Sequence, residues 1–213
     1  MNAKRIGSVV LGGLLLLGVP AVAKEPGAGL GVGRGVDHVG MLVRLENFDA
    51  AADVWTRLGF SLTGALLSPF GAENRLMWFD DLSYLEIDAI TEANDFTAAF
   101  LAFLADHEGA KFYGTEVADA GRAAAFLTAA GYPNTGLIPA PPLTLVATGE
   151  TVGATPLWTE IILTSRVAPD NSNFFLAYDD AQVHQMFVDF PSLAPRPHAN
   201  TARRIDTLWL VVA

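Results

Sequence analysis

Val36-Asp37-His38-Val39-Gly40-Met41-Leu42-Val43 and Ser83-Tyr84-Leu85-Glu86-Ile87-Asp88-Ala89-Ile90 are the two stretches from which the rest of the chain is read. Both alternate in the manner of a half-buried strand, and each holds a polar side chain, His38 or Glu86, within an apolar run. A polar group in such a place needs a partner. Imidazole and carboxylate are common ligands of divalent metal ions, and a metal is one of the few partners that make a buried carboxylate tolerable. The competing reading is a neutral core histidine hydrogen-bonded to a carboxylate or backbone group.

Between these runs, Phe48, Ala51, Ala52, Trp55 and Leu58 fall on one face of a helix over 48–58 that Gly59 ends. Phe60–Leu67, Arg75–Phe79 and Tyr84–Ile90 read as strands, the last two joined by the acidic turn Asp80-Asp81. A second helix, Phe96–His107, leads out of this unit, with Phe96, Phe100 and Phe103, like Trp55, at core spacing. The order then returns. Lys111–Val117 reads as a strand and Ala120–Ala130 as a helix closed by Gly131, with Tyr132–Pro139, Leu143–Thr148, Leu157–Thr164 and Phe174–Tyr178 as later strand candidates. Leu58-Gly59-Phe60 and Ala130-Gly131-Tyr132 are the best internal match, and a repeat implies two units burying a shared face. Ile205–Val212 echoes the polarity of Val36–Val43, with Thr207 where His38 stands, and reads as a strand opening a further module.

The chain of 213 residues is long enough for one domain or two small repeats sharing a core. Its net charge of -10 argues against nucleic acid, whose phosphates demand a basic face. With no cysteine there is no disulfide, thiolate metal site or cysteine nucleophile, so any metal falls to His, Asp, Glu, Tyr or water. Residues 1–23 read as an export signal: basic Lys4 and Arg5, an apolar stretch Ile6–Val19, and Ala21-Val22-Ala23 before a cut after Ala23. The stretch is about 14 residues long, short for a membrane span of about 20. The expectation is a periplasmic or secreted protein with no stable membrane anchor once cleaved. Residues 24–35 repeat glycine at alternate positions and read as a flexible linker before a domain over 36–213.

Taken together, the βαβββ order, Val36-Asp37-His38-Val39, the helix exit Leu58-Gly59-Phe60, Asn74-Arg75 and Tyr84-Leu85-Glu86 resemble the vicinal oxygen chelate superfamily. Within it the likeness is to glyoxalase-like domain proteins. Phe174-Phe175-Leu176 and Pro197-His198-Ala199-Asn200 resemble two later motifs of that group, the second imperfectly. The resemblance implies an α+β fold: paired βαβββ modules, about 36–91 and 111–179, forming a cupped mixed sheet of the glyoxalase/bleomycin resistance/dihydroxybiphenyl dioxygenase type. It also implies metal ligands on the first and last strands of each module. His38 and Glu86 match in the first module. The corresponding positions of the second fall near Tyr113 and near Ala177 or Tyr178, so the four-ligand pattern is incomplete. Glu160, His184 and His198 are the further candidates to complete it or to touch substrate.

The resemblance implies a divalent metal (Zn, Ni, Mn or Fe) and lyase, isomerase or dioxygenase chemistry on a small oxygen-chelating substrate, with Glu86 moving a proton. The alternative is a non-catalytic protein that binds or sequesters a small molecule, and a third reading is an inactive remnant. A cup lined by Trp78, Phe79, Phe112 and Trp158 would suit an apolar or aromatic ligand. A homodimer is compatible with all of these.

Overall fold

The computed structural model describes residues 32–164 and 172–208. The export signal and most of the glycine-rich linker lie outside them. The chain builds strand β1 (Val32–Val43), helix α1 (Phe48–Arg57), β2 (Leu66–Ser68), β3 (Ala72–Trp78), β4 (Tyr84–Ile90) and α2 (Ala98–Asp106). It continues with β5 (Gly109–Val117), α3 (Ala120–Ala129), β6 (Ile138–Pro139), β7 (Leu143–Leu145), β8 (Glu150–Val152), β9 (Trp158–Ile162), β10 (Ser172–Tyr178) and α4 (Asp180–Asp189). β1 starts at Val32, so the last four residues assigned by sequence to the linker are strand.

All ten strands form one sheet in the order β6-β9-β10-β5-β1-β4-β3-β2-β7-β8. β1 runs parallel to β4, β5 runs parallel to β10, and the two halves meet where β1 and β5 pair antiparallel. This is the paired βαβββ arrangement, with one departure. The β7–β8 hairpin leaves the second half and adds to the far edge of the first, through β7 on β2. It thereby extends the first half's wall with Leu143, Leu145 and Val152, all buried against Leu66 and Leu76.

Strand alternation assigns the two faces. Tyr84, Glu86, Asp88 and Ile90 point into the concave side, whereas Ile87 and Ala89 pack with Met77 under α1. α1 covers the convex face of the first half and α3 that of the second, through Ala123 and Leu127 against Ile161. The concave side is roofed by Phe100, Phe103 and Leu104 of α2 at one end and by Val183 and Met186 of α4 at the other. No helix is expected from sequence over the segment of α4. Asp179 in fact caps it, its carboxylate accepting the N–H groups of Ala181 and Gln182 at 3.1 Å.

Both helix exits have one construction. Gly59 (φ +88°) donates to the Thr56 carbonyl while Phe60 donates to that of Trp55; Gly131 (φ +81°) and Tyr132 do the same to Thr128 and Leu127. This is the Schellman closure, which needs a left-handed residue after the helix. Leu58, placed by spacing on the buried face, lies beyond the last turn and is 56% exposed. Helix α2 begins two residues later than the periodicity suggests, because Asn94 Oδ1 accepts the N–H groups of Phe96 and Thr97 and holds them in a turn. Phe96 is consequently not core; it stacks on Phe70 at 4.7 Å.

Residues 205–208 form no strand. The Ile205 N–H reaches Ser83 Oγ and the Arg203 carbonyl accepts from Asp80, so this segment lies along the β3–β4 turn. The remainder of the strand expected there lies outside the described residues.

Candidate functional site

The concave face encloses a cavity of about 160 Å³. His38 of β1, Glu86 and Asp88 of β4, Asn74 of β3 and Glu160 of β9 supply most of its polar side chains, and the remaining lining is largely aliphatic and aromatic. His38 is 4% exposed, Glu86 8% and Asp88 5%. Backbone choices make the room. His38 lies across Gly114 on the neighbouring strand, where a Cβ would sit 2.5 Å from His38 Nδ1, and the Phe112 ring lies over Gly40.

His38 is fixed on several sides. Tyr84 stacks on its ring at 4.8 Å and Phe112 meets it edge-on at 5.8 Å. A slip in the β1–β5 register between Val36 and His38 interrupts the alternation there, and the adjacent Asp37 and His38 side chains meet, Nδ1 to Oδ2, at 2.7 Å. Asp37 Oδ2 also accepts from the Tyr178 hydroxyl at 3.0 Å, and Tyr178 is hydrogen-bonded to Tyr84. Burial alone would lower the His38 pKa, but the hydrogen bond and charge of Asp37, with the charges of Glu86 and Glu160, raise it above 6.5. With Nδ1 engaged by Asp37, Nε2 is the ring nitrogen left for chemistry.

Glu86 and Asp88, two residues apart on one strand face, form a carboxyl pair. Burial raises Glu86, while the charge of His38 and hydrogen bonds from Asp88 and Asn74 oppose the rise; the Asn74 amide donates to Oε1 at 2.7 Å. Burial raises Asp88 much further, and the charge of Glu86 and the bond to it add to that, so the pair favours sharing one proton over carrying two charges. Asp88 Oδ2 and Asn74 Oδ1 are buried without a hydrogen-bond partner. Burial also raises Glu160 on the opposite side of the cavity.

The structure therefore gathers His38, Glu86 and Glu160 about one cavity and leaves the other three candidates elsewhere. Tyr113 alternates away from Phe112 and Gly114 and does not line the cavity. His184 sits on the exposed face of α4. His198 is 7% exposed but belongs to the α1 side, with Phe60 and Phe79 at 5.2 Å and Nδ1 accepting the Ser61 N–H. Phe79 accordingly does not line the cup, whereas Trp78, Phe112 and Trp158 do. The stretch around His198 is a clamp: Asn200 Nδ2 donates to the Leu58 carbonyl and Ser61 Oγ to that of Pro197. Asp37, Asn74, Tyr84 and Asp88 are not among the site residues expected from sequence, and Tyr178 enters there only as a position near the expected last-strand ligand of the second module. Asp88 was within reach, because period-two spacing puts it on the face of Glu86.

A family model described as a glyoxalase-like domain matches residues 36–213. The chain belongs to that family. A comparison with curated proteins finds no match. Among solved structures, methylmalonyl-CoA epimerase from Mycobacterium tuberculosis is similar at 17% identity and TM-score 0.53, over 74% of this chain and 95% of that one. A hypothetical protein from Staphylococcus aureus is similar at 13% identity and TM-score 0.53, over 73% of this chain; the match spans 64% of that protein's length. A hypothetical protein from Bacillus halodurans C-125 is similar at 15% identity and TM-score 0.50, over 68% and 94%. These likenesses establish the vicinal oxygen chelate fold.

Members of this superfamily often use a divalent metal, and the donor set of this glyoxalase-like chain does not fit one. Nε2 of His38 is open, but Glu86 already accepts from Asn74 and Asp88. Across the cup the second half presents mainly Phe112, Phe174 and Leu176, with Glu160 and the Tyr178 hydroxyl, which is engaged by Asp37, as its polar groups. No three His, Asp or Glu side chains among the described residues come close enough together to hold an ion.

Proposed function

We propose that this glyoxalase-like protein binds a compact small molecule in the cup, its apolar body against the aromatic walls and its polar end against His38, Glu86, Asp88 and Asn74. The observation that carries this is the cavity itself: a mostly apolar enclosure with a few convergent polar groups, the usual form of a small-molecule site. About 160 Å³ is more than ordered water needs and is of the size that one ring fills.

A second reading, favoured by the 2.7 Å Asp37–His38 contact, is proton transfer without a metal. Asp37 fixes the imidazole and supports its charged form, so His38 would donate from Nε2 to a ligand oxygen as charge develops there. Glu86, its proton affinity raised by burial, would take a proton from the adjacent carbon; this is isomerase-type chemistry. The metal-dependent lyase or dioxygenase reading lacks the donors described above.

Trp78 and Trp158 line the cavity, so ligand titrations followed by tryptophan fluorescence test the binding reading, with metal content of the purified protein measured alongside. Saturable quenching by single-ring compounds, lost on Trp78→Phe, is the expected result. Stoichiometric metal that His38→Ala and Glu86→Ala both abolish would replace this reading with the metal-dependent one. We also infer export to the periplasm or beyond, supported by Lys4, Arg5, the apolar Ile6–Val19 and Ala21-Val22-Ala23. The mass of the mature protein should correspond to a chain starting at Lys24; a full-length soluble cytoplasmic product would refute this.

A further inference from the structure

Resting on the binding reading, the polar wall also says which kind of polar end the ligand carries. Three carboxyl groups, Glu86, Asp88 and Glu160, line the cavity, and no lysine or arginine is among its lining residues within the described part of the chain. The one lining group that can be cationic, His38, is already paired with Asp37 at 2.7 Å, so the pair brings no net positive charge. Four buried atoms of the described cavity-lining side chains lack a hydrogen-bond partner: the oxygens Asp88 Oδ2 and Asn74 Oδ1, and the indole Nε1 groups of Trp78 and Trp158. Asn74 and Asp88 are register partners across β3 and β4, so one donor group can serve both oxygens. At this polar end the two oxygens call for hydrogen-bond donors and the carboxyl groups for positive charge, while the indole N–H groups lie on the aromatic walls.

The rest of the lining suits a cation as well. Trp78 and Tyr84 lie 4.5 Å apart, and Trp158 and Tyr178 lie 6.1 Å apart, giving the cavity aromatic faces whose negative quadrupoles attract ammonium groups. A carboxylate ligand would meet three carboxyl groups and no free cation. A neutral hydroxyl, with one hydrogen, could serve one of the two orphan oxygens and would bring no positive charge toward Glu86 and Glu160.

We infer that the cup selects an organic ammonium ion with an apolar body of about one ring, its N–H groups donating to Asp88 and Asn74. Isothermal titration calorimetry with three probes of similar size tests this: 2-phenylethylamine as its cation, 2-phenylethanol and 3-phenylpropionate. The amine is expected to bind about tenfold or more tighter than the alcohol, the size of one charge-assisted hydrogen bond, with the carboxylate weakest. In Asp88→Leu, which removes the orphan acceptor, that ratio is expected to collapse toward one, and in Glu160→Gln to shrink. If the alcohol or the carboxylate binds as tightly as the amine, or if both variants keep the preference, the cation assignment is wrong and the binding reading stands. If none of the three binds at millimolar concentration, both are wrong.

Discussion

Gly114→Ala changes no polar group and lies outside every hydrogen bond of the wall, yet it should disable the site. The new Cβ would stand 2.5 Å from His38 Nδ1 and 2.8 Å from Leu176 Cδ1, far inside contact distance. The His38 ring has no direction in which to yield, since Tyr84 stacks on it and Nδ1 is tied to Asp37 at 2.7 Å. Overpacking of this kind costs about 1–3 kcal/mol. If the ring swings off Asp37, a buried hydrogen bond to a charged group adds about 1.5–3 kcal/mol. Overpacking alone, about 2 kcal/mol, with a urea m-value of about 2 kcal/mol/M, lowers the unfolding midpoint by about 1 M, and loss of the Asp37 bond lowers it by about a further 1 M. The second readout is the His38 titration by NMR. Asp37 is the main reason this pKa stands above 6.5, so displacing the ring should lower it. A variant with an unchanged midpoint and an unchanged His38 titration would show that the imidazole does not lie across Gly114.

Other consequences follow from the same contacts. His38, Glu86, Asp88 and Glu160 all have folded-state pKa values raised above their ordinary ones, so the folded protein binds more protons than the unfolded chain. Stability should therefore fall as pH rises from 3.8, the ordinary aspartate value, and continue falling beyond 6.5 as His38 loses its proton; urea midpoints that rise over this window would contradict it. Asp88→Asn removes the largest carboxyl contribution to that trend. It should stabilise the protein near neutrality, with the gain vanishing below 3.8, and equal midpoints at both pH values would count against a protonated Asp88. Asn200→Ala deletes the 3.0 Å bond to the Leu58 carbonyl and should cost about 0.5–1.5 kcal/mol, seen as faster amide exchange around the α1 exit with little change in ligand affinity.

The fold was legible because its signals are local. β4 runs over Tyr84–Ile90 as the alternation predicts, and α1 and α3 end at the two glycines because their closures repeat the same bonds. What failed depended on distant partners. The hairpin of β7 and β8 earns its strand character by crossing to β2, a pairing invisible within its own sequence. Phe60–Leu67 contains a full apolar pattern, yet only Leu66 and Leu67 of it are strand; Thr63 is tied to Leu76 through both its N–H and its hydroxyl outside the ladder. Pro197-His198-Ala199-Asn200 reads as a site motif because it contains a histidine. Its side chains instead clamp the α1 exit, which only the return of the C-terminal segment could reveal.

The unequal halves of the cup account for its chemistry. A metal site of the superfamily type needs both halves to contribute ligands, and the second half here lines the cup mainly with Phe112, Phe174 and Leu176, with Glu160 as its one carboxylate among the described lining residues. Removing half the ligands from a metal site would leave its carboxylate stranded in an apolar enclosure, a state that costs several kcal/mol unless something neutralises it. Neighbouring residues do so from three directions. Asp88 shares a proton with Glu86, Asn74 donates to it, and the charge of His38, itself sustained by Asp37 and the Tyr178 hydroxyl, stabilises its ionised form. Asp88 and Asn74 occupy the lone pairs of Glu86 that a metal would require, so restoring metal binding by one substitution in the second half, such as Leu176→Glu, should fail. The added carboxylate would meet His38 Nε2 but an already satisfied Glu86. Nanomolar zinc affinity in that single variant, measured by competition with a chelator, would show that the hydrogen bonds of Asn74 and Asp88 yield easily and that the first half is still a metal half-site.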